Sequence, residues 1–129
     1  MILKGRKISK GKAVGELLLS HESVSFFGGV DPETGIITEK GHELEGQCIA
    51  GKIFAFPNGK GSTVGSYILY RLKKRGLAPL AIINRESEAI VAVGAIISGV
   101  PFVDKIDLSK LKTGLLVKVD ATQGIVEVD

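Results

Sequence analysis

The sequence predicts an α/β domain with few helices, and three features of its 129 residues carry that reading. Short apolar and β-branched runs open and close the chain, and between them two helical patterns alternate with strand-like segments. A strand-helix-strand-helix-strand order set between β-segments is the pattern of a parallel crossover unit. Chain length and a hydrophobic content of 44% suit one packed core, so residues 1–129 are expected to form a single domain.

Residues Ile2 to Ile8 and Ala13 to Leu19 read as strands, with Gly11 and Gly15 marking a turn and a bulge. The connection "SHESVSFFGGVDPETG", Ser20 to Gly35, is long enough to be either functional or disordered. Its adjacent Phe26 and Phe27 argue against disorder, and they suit either a neighbouring chain or the protein's own core. Short strands are expected at Ile36 to Thr38, Gln47 to Ala50 and Lys52 to Phe56, before Pro57, Asn58 and Gly59 break the pattern. Val64, Ile68 and Leu72 then stand four apart with Leu69 beside them, and Gly76 occupies the place of a C-terminal cap. Pro79 to Asn84 reads as a buried strand. Ser87 reads as the cap of a second helix that Gly99 and Pro101 close. That helix is apolar nearly all round, so its own sheet or a partner chain has to cover it on several sides. Phe102 to Asp104 is a short strand, and Leu115 to Asp120 and Gly124 to Val128 form a hairpin around "ATQG".

Lys and Arg outnumber Asp and Glu by 17 to 14, a net charge of +3, which permits nucleic-acid binding without demanding it; no nucleic-acid partner is expected. The single cysteine, Cys48, excludes an internal disulfide and cannot alone assemble a zinc or iron-sulfur site, so no metal is assigned to this chain. The longest apolar run, Ala89 to Ser98, falls well below the roughly twenty residues of a spanning helix, and no membrane association is expected. After Met1, Ile2 and Leu3 the chain turns basic and polar, unlike a signal peptide, and a reducing cytoplasmic setting is expected.

The stretch "NGKGSTVG" supplies backbone freedom at Gly59 and Gly61, hydroxyls at Ser62 and Thr63, and a helix start whose unpaired N–H groups attract anions. Ser62 or Thr63 also serves as a simple helix cap on the same evidence. The spacing is not that of a nucleotide-binding P-loop, because a glycine separates Lys60 from Ser62. His21 and His42 lie in loop-like sequence, where exposed polar positions are expected, and spacing assembles no triad with Ser62. Asp31 and Glu33 in "GGVDPETG" are candidate acids that also spell a turn.

"GGVDPETG" followed by "GKGSTVGS", within a stretch running from Phe26 to Leu72, resembles the small subunit of the aconitase X family over nearly the whole chain. The resemblance implies the swivelling β/β/α domain of aconitases and a site shared with a large subunit that holds a [4Fe-4S] cluster. It implies that Ser62 is the catalytic base, with Lys60, Gly61, Thr63 and Asp31 as substrate-binding positions. Tricarboxylate aconitases usually follow this serine with another serine and an arginine; here Thr63 and Val64 stand instead, implying a different acid substrate. The implied reaction is dehydration of a phosphorylated hydroxy acid, 5-phosphomevalonate; a cis-3-hydroxyproline dehydratase subunit and a non-catalytic anion-binding module are the alternatives. Purified alone, the chain is expected to be colourless and inactive, and stoichiometric iron and sulfide found on it by elemental analysis would contradict this reading.

Overall fold

A computed structural model describes residues 1–128, in which eight strands and two α-helices alternate along the chain. The strands are β1 (Ile2–Lys4), β2 (Arg6–Ser9), β3 (Lys12–Leu19), β4 (Ile53–Phe56), β5 (Ala81–Asn84), β6 (Phe102–Asp104), β7 (Leu116–Asp120) and β8 (Ile125–Val128). Helix α1 (Val64–Lys74) links β4 to β5, α2 (Ala89–Ser98) links β5 to β6, and a short 3-10 turn at Leu108–Lys110 precedes β7. The order across the sheet is β1-β8-β7-β3-β4-β5-β6-β2. Strands β3, β4, β5 and β6 run parallel, and the others pair antiparallel.

Side-chain alternation along these strands separates two cores. Successive strand residues face opposite sides of a sheet, and Leu17, Leu19, Ile53, Ala55, Ala81, Ile83 and Val103 meet residues of β7 and β8 on one side. Leu18, Phe54, Phe56, Ile82 and Phe102 point the other way and are covered by α1, α2 and the long connection after β3. Strands buried on both faces read as unbroken apolar runs, as "IFAF" and "AIIN" do.

The expected first strand is two strands. β1 pairs with β8 and β2 pairs with β6, which are far apart in the sheet order, and only Gly5 separates them. The chain changes partner at that residue and so joins the two ends of the sheet around the β7–β8 side of the core. Gly5 donates its N–H to Gly124 O at 2.8 Å, and a Cβ built there would lie 2.1 Å from Asp104 O. No side chain fits between those two edges.

Three other expectations change in detail. The strands anticipated at 36–38 and 47–50 shrink to isolated bridges, Val30 with Ile37 and Ile36 with Cys48. Turns closed by Gly35 N–H to Asp31 O and by Gln47 N–H to Leu44 O interrupt any longer ladder. Glu88, not Ser87, caps α2: its carboxylate accepts from Ile90 N at 2.9 Å and from Val91 N at 2.6 Å, which also places a negative charge at the positive end of the helix. The Ser87 N–H turns to the Asp104 carboxylate instead, at 3.1 Å.

Asp104 is fully buried and gathers three elements. Arg6 from β2 holds it with two bonds, at 3.0 and 2.7 Å, and Ser87 from the start of the α2 segment completes the set. Burial pushes this carboxyl up, but the hydrogen bonds from Arg6 and Ser87 and the charge of Arg6 outweigh burial and hold it below the usual aspartate range. A carboxyl lowered in the folded state stabilises the fold above its unfolded value of about 4, and that contribution is lost as pH falls through the lower folded value. Asp104→Asn is therefore expected to lower the unfolding temperature at neutral pH, with the gap to wild type closing in acid below about pH 4. Circular dichroism melts across that range check this; a gap independent of pH would contradict it.

Candidate functional site

The parallel strands β3 to β6 end at Leu19, Phe56, Asn84 and Asp104, all on one rim of the sheet, and the loop after β4 carries Ser62. Open α/β sheets bind ligands at this carboxyl rim, where loops diverge from strands. Tertiary hydrogen bonds fix the loop there. Val24 pairs in parallel with Gly59, donating its N–H to Asn58 O at 3.2 Å and accepting from Lys60 N at 3.0 Å. Ser23 Oγ adds a bond to Asn58 Oδ1. At Gly61 the backbone takes φ +98°, and a Cβ would stand 2.4 Å from Ser25 Oγ. A bare α-carbon is what lets the chain turn past Ser25 and bring Ser62 out.

Ser62 is exposed, and its Oγ accepts the Val64 N–H at 3.1 Å. Its carbonyl accepts from Gly65 N at 2.9 Å. Thr63 occupies the N-cap position without a side-chain cap bond, and its carbonyl receives Ser66 Oγ at 3.0 Å. The capping role and the presenting role therefore fall to one hydroxyl. Ser62 Oγ satisfies a helix N–H, and an N–H donated to that oxygen favours its charged form.

The neighbouring candidates divide. Lys60 pairs with Glu39 at 3.0 Å, which anchors the ammonium beside the loop. Asp31 spends Oδ1 on the Glu33 N–H at 2.9 Å, and its backbone closes the same turn through Thr34, Gly35 and Ile36. Glu33 reaches Arg71 at 2.9 Å and Arg75 at 3.0 Å, so this turn lies against the last turns of α1. Phe26 is 1% exposed and belongs to the core, whereas Phe27 is 50% exposed. The core reading holds for Phe26, and Phe27 stands on the surface.

His21 is exposed, as expected, with its ring 3.3 Å from Glu43. Burial pushes the Glu43 carboxyl up, but bonds from the His21 backbone and ring and from Ser20 hold it below the usual range. His42 corrects the expectation of an exposed polar residue: it is buried, with Nδ1 accepting from Leu44 N at 3.0 Å and Nε2 at 3.1 Å from Ser23 O. Those partners require the proton on Nε2, and the ring braces the segment that holds the Ser62 loop. Ser25 and Glu39 carry no local signal that would have singled them out; only the pairing of Val24 with Gly59 brings their segment to the loop.

A groove of about 270 Å³ between Thr63, Ser66, Ala89, Ile90 and Val93 adjoins Ser62. A second hollow, about 380 Å³, opens on the same rim between Ser20, His21, Pro57 and Arg85. A larger one, about 570 Å³ beside Gly11, Gly76 and Pro101, lies at the opposite end of the parallel strands, away from the site residues. Among the described residues no group of three or more His, Cys, Asp and Glu side chains converges to hold a metal. Cys48 is exposed, with its Sγ directed to Thr34 O at 3.6 Å.

Comparison with known proteins agrees with this geometry. Residues 2–128 match the family described as the aconitase X swivel domain. The chain is 62% identical to the phosphomevalonate dehydratase small subunit of Thermococcus onnurineus, covering 100% of this chain and 99% of the relative. It is 56% identical to the protein of the same name from Methanosarcina acetivorans, covering 97% and 89%. The crystal structure of Thermococcus kodakaraensis aconitase X in its holo-form superposes with a TM-score of 0.98 at 60% identity, covering 100% of this chain and 98% of that one. With residues 2–128 matched by the family model and its fold and almost its full length in common with these proteins, the chain belongs to the aconitase X swivel-domain family.

Proposed function

We propose that this chain is the small subunit of a phosphomevalonate dehydratase, working as a single swivel domain in the cytoplasm, and that Ser62 is its proton acceptor. The observation that carries the reading is the Ser62 hydroxyl itself, exposed on the carboxyl rim at the start of α1, in a chain 62% identical to a subunit of that name. Ser62 Oγ takes a proton from the carbon between the substrate carboxylate and the hydroxyl-bearing carbon. The electron pair forms the double bond as hydroxide leaves, and the hydroxide collects the proton that Ser62 took, so that water and trans-anhydromevalonate 5-phosphate result and the serine oxygen is again free to accept a proton. Gly61 and Thr63 contribute backbone and hydroxyl contacts to the substrate, and Lys60, held by Glu39, acts at the edge of the site; Asp31 closes the 31–35 turn against the far end of α1 and is left out of the substrate contacts.

The site is completed by the large subunit. A helix N-terminus contributes at most about 2 kcal/mol, roughly one and a half pKa units, too little to keep a serine alkoxide near neutral pH. Further donors have to converge on Oγ, and the groove next to it, lined by Thr63, Ser66, Ala89, Ile90 and Val93, is open to solvent. The [4Fe-4S] cluster is assigned to the large subunit, since among the described residues no group of metal-ligating side chains converges and Cys48 is the single cysteine. The ligand is a small acid with a phosphate at its far end, and among the described residues no helix is long and apolar enough to cross a bilayer.

Ser62→Ala tests the assignment in the reconstituted two-subunit enzyme. A pure cap would cost about 0.5–2 kcal/mol of stability and leave turnover nearly intact. A base is expected to lose about 10²-fold or more in kcat while subunit assembly, cluster content and substrate binding persist. Thr63→Ala is expected to be milder because proton transfer survives. Near-wild-type kcat in Ser62→Ala would leave Ser62 as a cap alone.

A further inference from the structure

Helix α2 carries no charged residue from Ala89 to Ser98, and after Val91 and Ala95 are buried it still leaves Val93, Ile96 and Ile97 at 47%, 57% and 64% exposure. A helix apolar on every side is one that its working environment covers on every side. Ala89, Val93 and Ile97 recur at intervals of four and so form a stripe along one face. The stripe begins in the groove where Ala89, Ile90 and Val93 face Thr63 and Ser66, one residue from Ser62. On α1, next to Ser66 in the chain, Tyr67 is exposed as well, at 58%. Val14, Leu80 and Leu116 are also exposed, but they line hollows around β3 and β7, away from the groove beside Ser62.

We infer that this stripe is a docking surface for the large subunit, which meets it with an uncharged apolar patch. The inference rests on the shared-site reading above. A partner that supplies the remaining groups around Ser62 has to reach the mouth of the 270 Å³ groove, and from there α2 continues the same surface without a charge to interrupt it. Lasting hetero-complexes use interfaces of this kind, more apolar than the remaining surface and depleted of charge at the centre. The stripe holds the small subunit in register, and the groove positions Ser62 against the partner's half of the site.

The test uses the full chain titrated against the purified large subunit, read by sedimentation and calorimetry rather than by turnover. Ile97→Lys and the gentler Ile96→Gln alter exposed side chains, and thermal melts verify that both variants fold. Ile97→Lys is expected to weaken association by at least about 30-fold, Ile96→Gln by less, and Leu116→Lys on β7 by no more than the error of the measurement. Wild-type affinity in Ile97→Lys, or equal loss in Leu116→Lys, overturns the docking surface while leaving the Ser62 assignment standing. Failure of the wild-type chain to bind the large subunit at all overturns both. A self-dimer of the wild-type chain that Ile97→Lys dissolves, with hetero-association unchanged, assigns the stripe to a second copy and overturns the proposal.

Discussion

Two backbone hydrogen bonds, from Val24 N–H to Asn58 O and from Lys60 N–H to Val24 O, hold the serine loop against the long connection after β3. Each half of this contact stabilises the other. The connection has almost no ladder of its own, and it stays ordered because Val24, Phe26, Val30, Ile37, Leu44 and Ile49 are buried over the sheet. The loop in turn gains a fixed wall, and Ser25 stands so close that only glycine is tolerated at position 61. Replacing the hydroxyl of Ser62 leaves this arrangement standing, whereas adding one methyl at Gly61 collides with it.

The two faces of the sheet divide the work. On one face the strands of the whole chain close over an apolar core without a helix, and the junction at Gly5 ties the last pair of edges together. Opposite it, the helices and the long connection form a cover that carries Ser62 and Lys60 at the carboxyl rim and the 31–35 turn at the far end of α1. Rigidity on the first side supports precise placement on the second. Asp104 links them, since one carboxylate holds Arg6 of a closing strand and the backbone just ahead of α2.

Ion pairs near the site orient segments more than they stabilise the fold. Lys60 with Glu39, and Arg71 and Arg75 with Glu33, are solvent-exposed pairs worth about 0–1 kcal/mol each. Their use is geometric: the first fixes the lysine beside the serine loop, and the others fasten the 31–35 turn to α1. The basic C-terminal end of α1 therefore serves both the helix dipole and the long connection.

Strand alternation, the four-residue spacing of Val64, Ile68 and Leu72, and the turn residues of the last hairpin were enough to place the elements and the β/α order, because each signal is complete within a few neighbouring residues. The helix start that presents Ser62 was legible for the same reason. What the chain order concealed depends on partners far away in sequence. Nothing in "ILKGRKIS" marks Gly5 as the point where the strand changes neighbours, since the requirement comes from Gly124 and Asp104. Phe26 and Phe27 are identical in composition and differ only in which one the sheet covers. His42 is buried by Ser23 and Leu44 meeting around it, and α2 is capped by Glu88 because Asp104 has already claimed Ser87. Local geometry follows from covalent neighbours; burial, closure and the competition for each hydrogen-bond partner are decided only when distant segments occupy the same space.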